Sequence, residues 1–200
     1  RYTDQTIIQS VNEACRVLEG LGAYMDRVSL PLLADVRHLA SSIIANDAAY
    51  QHRIGICESP REYGANLLIR LVVGALIPSQ ILQKAYRARA LIRQEFHRLF
   101  RRFDLLVSPT LMFTLRKAKY AERITVRAQA EGKFGQGTGD ATILAPFFGV
   151  PAMTVPCGFD SNRLPIGLQI MGSYFQEETV LRAGHAYEQH TWWHKERPDL

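Results

Sequence analysis

The sequence predicts an α/β protein, a mixed β-sheet flanked by helices, and three observations carry that expectation. Two short apolar runs, 151–159 and 164–172, are rich in β-branched residues and bounded by Pro and Gly. They are joined by the polar turn Asp160-Ser161-Asn162-Arg163. A third apolar run, Leu105-Leu106-Val107, directly follows a long amphipathic stretch, and the segments around these runs carry apolar residues at helical spacing. Strands separated by helices imply a layered sheet. Strands apolar on both faces need cover from both sides.

Taken in order, Thr3 or Asp4 can cap a helix over 6–21, in which Ile7, Ile8, Val11, Ala14, Cys15 and Leu18 recur at helical spacing. Gly22 follows as its stop. Residues 24–30 alternate as a strand would, and Pro31 ends them. A second helix is expected over 33–49, a loop around 54–60 and a short helix over 61–74. Pro78 opens the longest helix, to about residue 103. Its apolar stripe is Ala85, Ala88, Ile92, Phe96, Leu99 and Phe103, and Lys84, Arg87, Arg98 and Arg102 lie on the other side. A strand over 105–107 comes next. The polar, basic stretch 114–136 reads as a helix-and-loop insertion, and Gly135-Gln136-Gly137-Thr138-Gly139 as a flexible loop. A short helix over 140–148, the hairpin and a helix over 176–191 complete four strands and their cover.

A chain of 200 residues can bury one core, so residues 1–200 are expected to form a single region. With 47% hydrophobic and 22% charged residues the composition is that of an ordinary soluble protein. No apolar run approaches the ~20 residues of a membrane span. The start, Arg1-Tyr2-Thr3-Asp4, has no initiator Met and no signal-peptide pattern, and reads as a cut inside a longer chain. A net charge of +5 is too weak to imply nucleic acid. Cys15, Cys57 and Cys157 are far apart and form no zinc-ligand spacing, which suits a reduced, cytoplasmic setting.

Several stretches together resemble the amidase signature family. They are Pro151-Ala152-Met153-Thr154-Val155-Pro156-Cys157-Gly158, then Leu164-Pro165-Ile166-Gly167-Leu168-Gln169-Ile170-Met171-Gly172, then Ala186-Tyr187-Glu188-Gln189. Asp104-Leu105-Leu106-Val107-Ser108-Pro109-Thr110 matches an earlier family strand, and Leu18-Glu19 with Leu21-Gly22-Ala23 and Val28-Ser29-Leu30-Pro31 a segment before it. The order is the family's order. Arg163 stands where the family usually has Gly. The resemblance implies the carboxyl-terminal portion of an amidase-signature fold. It also implies that the family's catalytic Ser-Ser-Lys set lies elsewhere, because no Gly-Gly-Ser-Ser-Gly-Gly stretch occurs in these residues. The one Ser-Ser pair, Ser41-Ser42, sits in a helical run without glycine.

Four residues are candidates for substrate binding by that resemblance. Arg70 matches the Arg of the family's R-I-x-x-G segment, which in the amidotransferase branch holds a carboxylate; a solvated helix residue is the alternative. Thr142 matches the family's Thr before P-A-x-x-V-P, and Gly137 and Gly139 belong to the loop leading to it. That loop lacks the Gly-Lys-Ser/Thr ending of a phosphate cradle. Two departures favour a general amidase over the tRNA-dependent branch: Gly139 replaces an Asp, and Pro146 replaces an Asn.

Other residues invite structural readings first. Arg89 falls in the apolar stripe of its helix, where a paired or snorkelling guanidinium is expected. Gln169 lies mid-strand and needs a hydrogen-bond partner, expected from backbone. A Cys157 nucleophile with His185 as base has no spacing to support it. The histidines at 185, 190 and 194 do not share one helix face, and Trp192-Trp193-His194 reads as a packing anchor.

The expectation is therefore the carboxyl-terminal part of a serine amidase acting on a small-molecule amide, without catalytic residues of its own, cofactor or metal. Its partner would be the amino-terminal half of the same enzyme, with a homodimer possible and neither nucleic acid nor membrane implied. The alternatives are the A subunit of a tRNA-dependent amidotransferase and a non-catalytic binding or scaffold module.

Overall fold

A computed structural model describes residues 3–114 and 141–197. They divide into two compact units. One holds residues up to Ser29 together with those from Phe96 onward, and the other is Leu30–Glu95.

The first unit opens with α1, Gln5–Gly20. Asp4 caps it, its Oδ1 accepting the Thr6 N–H at 3.0 Å. At the other end Gly22 takes a left-handed φ of +96°, and the Ala23 and Gly22 N–H groups return to the Leu18 and Glu19 carbonyls. This is the Schellman stop that the glycine implies. Three strands follow later: β1 Leu105–Pro109, β2 Ala152–Phe159 and β3 Pro165–Gly172. They form one antiparallel sheet in the order β1-β3-β2. A short helix, α6, Leu144–Phe148, precedes β2 and ends at left-handed Gly149. The last helix, α7, is Glu177–Gln189.

The strand register sorts side chains onto two faces. Leu105 and Val107 of β1, Met153 and Val155 of β2, and Leu168 and Ile170 of β3 face one way and pack with Ile7, Ala14 and Leu18 of α1 and Val180 and Tyr187 of α7. The opposite face carries Ser108, Thr110, Thr154, Gly167 and Gln169. β3 is buried on both faces along most of its length, as a central strand flanked on both sides should be. Trp193 packs against the core, its ring 5.8 Å from that of Phe159, and so anchors the C-terminal segment. Phe96, in the last turns of the helix Ser79–Leu99, stacks on Phe148 at 4.0 Å.

The second unit contains α2, Val36–Gln51, α3, Arg53–Glu58, α4, Ala65–Ala75, and most of α5, Ser79–Leu99. Its organising contact is α2 against α4. Gly74 lets the two backbones approach so closely that a Cβ there would fall on the Ala45 carbonyl. Asn46 Nδ2 donates to the Gly74 carbonyl at 3.2 Å across the same junction.

Several expectations are corrected. Residues 24–30 form no strand, so the described sheet has three strands and not four; this segment is mostly exposed, Tyr24 by 87%, and pairs with no strand among the described residues. The three described strands pair antiparallel and form part of the α/β arrangement of sheet and helices that the sequence predicts. The loop expected around 54–60 contains α3. There the Tyr63 side chain closes over Gly55 and its hydroxyl meets His52 Nδ1 at 3.2 Å, which compensates for two β-branched residues and a glycine in one helical turn. The helix expected over 61–74 starts later, because Pro60–Glu62 is a 3-10 turn and Gly64 is the N-cap. No single helix among the described residues is long and apolar enough to cross a membrane.

Candidate functional site

Thr142 lies in the turn just before α6, is exposed, and belongs to the first unit. α6 is a single amphipathic turn-and-a-half whose Leu144, Ala145, Phe147 and Phe148 are buried, which fixes the turn that carries Thr142. Pro146 occupies the first turn of that helix, where a missing N–H costs little. Arg70 lies in the second unit. It is exposed and sits in the middle of α4, which runs through Gly74 to Ala75. Gly137 and Gly139, with the rest of the glycine-rich loop and most of the 114–136 insertion, lie outside the described residues.

The opposite sheet face presents a group of hydroxyls. Ser108 donates to Gln169 Oε1 at 3.5 Å, so among the described residues the buried amide is met by a side chain where a backbone partner is expected. Thr110, just after β1, and Thr154 of β2 meet across β3, Oγ1 to Oγ1, at 3.2 Å. They meet above Gly167, where a Cβ would stand 2.7 Å from Thr110 Oγ1 and 2.7 Å from Thr154 Cγ2. A glycine inside a strand is the signal that could have found this pair, since it marks a close approach.

The thiol candidate does not assemble. Cys157 is buried against α1, and burial, reinforced by nearby Cys15, pushes its thiol up to about 12. A neutral thiol of that kind is no nucleophile near neutral pH. His185 is exposed on α7 and makes no hydrogen bond to it. Tyr187 is likewise raised, first by burial and then by Cys157. The serine pair is no better placed: Ser42 donates to its own helix at the His38 carbonyl, 2.9 Å away. No group of three metal-ligating side chains occurs among the described residues. Arg89 is partly buried. Of the basic side chains along α5 and beyond, Arg102 lies 3.9 Å from Asp26 and over the Phe103 ring.

Arg163 resolves the one departure from the family's hairpin. Its φ is +61°, the left-handed region that glycine occupies without strain. It is held there by an ion pair to Glu196 at 3.0 Å and by packing over the Phe159 ring. The turn itself is built by Asp160, whose Oδ1 accepts the Asn162 and Leu164 N–H groups at 2.8 and 2.9 Å.

Comparison with known proteins completes the picture. The amidase family profile matches residues 1–181. The A subunit of glutamyl-tRNA(Gln) amidotransferase from Halalkalibacterium halodurans is 34% identical over 222 aligned positions, covering 98% of this chain and 44% of its own length. Its counterpart from Geobacillus stearothermophilus is 35% identical with the same coverage. Among solved structures, a bacterial aryl acylamidase of the amidase signature family superposes with a TM-score of 0.80 at 22% identity, over 99% of this chain and 44% of its own. The A subunit from Thermotoga maritima superposes with a TM-score of 0.67 at 24% identity, over 96% and 40%. At these identities the superpositions speak for the fold alone. The chain spans less than half the length of the curated relatives it matches.

Proposed function

The chain belongs to the amidase family, and on that premise we propose that it is the carboxyl-terminal part of a serine amidase that hydrolyses a C–N amide bond. The observation that carries this reading is the match itself. Nearly all of the chain aligns with under half of each relative, and its 200 residues hold no Gly-Gly-Ser-Ser-Gly-Gly stretch. The nucleophile, its activating groups and the oxyanion-binding N–H groups would come from the amino-terminal half of the enzyme. Oxyanion stabilisation of that kind supplies roughly 3–4 kcal/mol per donor.

In this reading the present residues supply the sheet, one wall of the pocket and substrate contacts. Arg70 is proposed to hold a carboxylate of the substrate through its planar guanidinium, and Thr142, Gly137 and Gly139 are proposed as further substrate-binding residues. The A subunit of a tRNA-dependent amidotransferase is the second reading, favoured by the names of the curated relatives. Gly139 and Pro146, which replace the Asp and Asn of that branch, weigh against it.

Two measurements test the proposal. The chain alone, treated with a serine-directed fluorophosphonate, should take up no stoichiometric label and hydrolyse no amide; a labelled Ser within these residues overturns the reading. In the assembled enzyme, Arg70→Ala should raise KM for a carboxylate-bearing amide more than for a neutral one. Equal losses would return Arg70 to the role of a solvated helix residue.

A further inference from the structure

We propose that the outer face of α4, together with the basic start of α5, docks on the surface of an anionic lipid bilayer. This goes beyond the amide-hydrolysing reading and does not depend on it. α4 has two apolar sides. On one side Leu71 and Gly74 are buried, and Gly74 meets the Ala45 backbone of α2. On the other, Ile69, Val72, Val73 and Leu76 recur at i, i+3, i+4 and i+7, the spacing of one helix face. All four are exposed, Val73 by 55% and Leu76 by 74%. A row of that spacing ordinarily marks the side a helix buries. α4 already has a buried side, so this row is a second one, turned to solvent. Arg70 stands outside the row.

The charge around the row selects its partner. Residues 63–94 contain Arg70, Lys84, Arg87, Arg89 and Arg93 but no Asp or Glu, in a chain that has 19 acidic residues in all. Between Arg70 and Lys84 there is no charge of either sign, so the apolar and basic parts follow one another and do not mix. Pro78 separates them, and α5 leaves α4 at a bend of 93°. Lys84 and Arg87 are exposed on the first turns of α5. At 1.5 Å per residue they stand roughly 9 and 14 Å along the helix from Pro78. An interfacial helix buries its apolar face about 5–10 Å into the boundary between headgroups and chains, so cations at that reach can meet anionic headgroups. A protein partner would also cover an apolar row, but a protein interface tolerates carboxylates at its polar rim. An anionic leaflet repels them, and each Lys or Arg near it strengthens binding several-fold. The apolar row alone would adhere weakly; the cations beside it and the missing carboxylates fit a negatively charged bilayer.

The test is flotation of the 200-residue chain with vesicles of phosphatidylcholine and phosphatidylserine in equal parts, against vesicles of phosphatidylcholine alone. The chain should float with the mixed vesicles, bind phosphatidylcholine about tenfold more weakly, and lose that difference in high salt. Val73→Ser with Leu76→Ser removes apolar surface at two exposed positions and should weaken binding to both vesicles about tenfold. Lys84→Ala with Arg87→Ala should weaken binding to the mixed vesicles about tenfold and leave phosphatidylcholine binding unchanged. Far-UV ellipticity shows that each variant folds, and the second pair keeps the test decisive if the first does not. The complete enzyme, carrying its amino-terminal half, should bind as the chain does. The proposal is overturned if the chain floats with neither vesicle, or if a folded variant pair binds as the parent does. It is also overturned if the complete enzyme does not bind, since the amino-terminal half then covers the row. A chain that light scattering shows to be a dimer, dispersed by the serine pair, overturns it too, since a second copy is then the occupant. Amide hydrolysis is measured separately, and its presence or absence leaves each of these results standing.

Discussion

Replacing Gly74 with alanine should destabilise the α2–α4 pair, even though alanine is the better helix former. At this position α4 passes directly over the Ala45 backbone, and an added Cβ would land on the Ala45 carbonyl and within 3.2 Å of its Cα. Those atoms are backbone, so no side-chain rotation can relieve the overlap. Ordinary carbon contacts need about 3.5–4.0 Å, so the helices must part by more than an ångström. That loosens the packing around Leu71, which is almost wholly buried, and stretches the Asn46 bond to the Gly74 carbonyl. Overpacking of this kind costs about 1–3 kcal/mol, while exchanging glycine for alanine in a helix returns up to about 1 kcal/mol. The expected net loss is about 1–2 kcal/mol, read from the urea midpoint of the far-UV ellipticity. Gly20→Ala is the comparison, since α1 leaves open space around that Cβ. It should be neutral or stabilising by up to about 1 kcal/mol. If Gly74→Ala matches or exceeds Gly20→Ala in stability, α2 and α4 do not pack through this glycine and the argument fails.

Two further outcomes are expected. Asp4→Ala removes the N-cap of α1 together with the bond that Oδ2 accepts from Thr114, and should lower stability by about 1 kcal/mol in the same urea assay. Alkaline pH should act through Cys157. Its thiol ionises near the ordinary value of 9.0 when unfolded but only near about 12 when folded, so its contribution is complete below pH 9 and is lost as pH rises from 9 towards 12. Tyr187 is shifted the same way and adds to the fall. Urea midpoints followed from about pH 8 to about pH 11 should drop more steeply for the parent chain than for Cys157→Ala; parallel curves would show that this thiol is not the group responsible.

The most legible parts of the sequence were those whose local chemistry and burial agree. The hairpin was plain because Pro, Gly and a polar turn bracket two apolar runs, and α1 was plain because Asp4 and Gly22 mark its ends. Residues 24–30 misled because alternation is only a necessary sign of a strand: without a neighbour to accept its hydrogen bonds, the segment stays extended and exposed. α3 was hidden because Tyr63, which secures it, lies beyond the helix and its role is visible only in three dimensions. At the candidate site, Arg70 and Thr142 were reached through resemblance, while the Thr110–Thr154 pair depends on strand order, which no local pattern encodes. Only the glycine between them, Gly167, hints at it. The Arg163 departure was visible as an oddity, and the left-handed backbone explains why glycine suits that position.

The split of the first unit across the chain has a consequence for how the protein is made. Ile7, Ala14 and Leu18 leave the ribosome well before the side chains that cover them, from Val155 to Tyr187. The unit that lies between them, Leu30–Glu95, is contiguous, and local contacts form sooner than distant ones. Its helices can therefore collapse while α1 still waits as an exposed amphipathic segment. Until β3 is made, α1 is a stretch a chaperone has reason to hold, and a ribosome stalled before β3 would release a polypeptide with the Leu30–Glu95 unit folded and the apolar face of α1 uncovered.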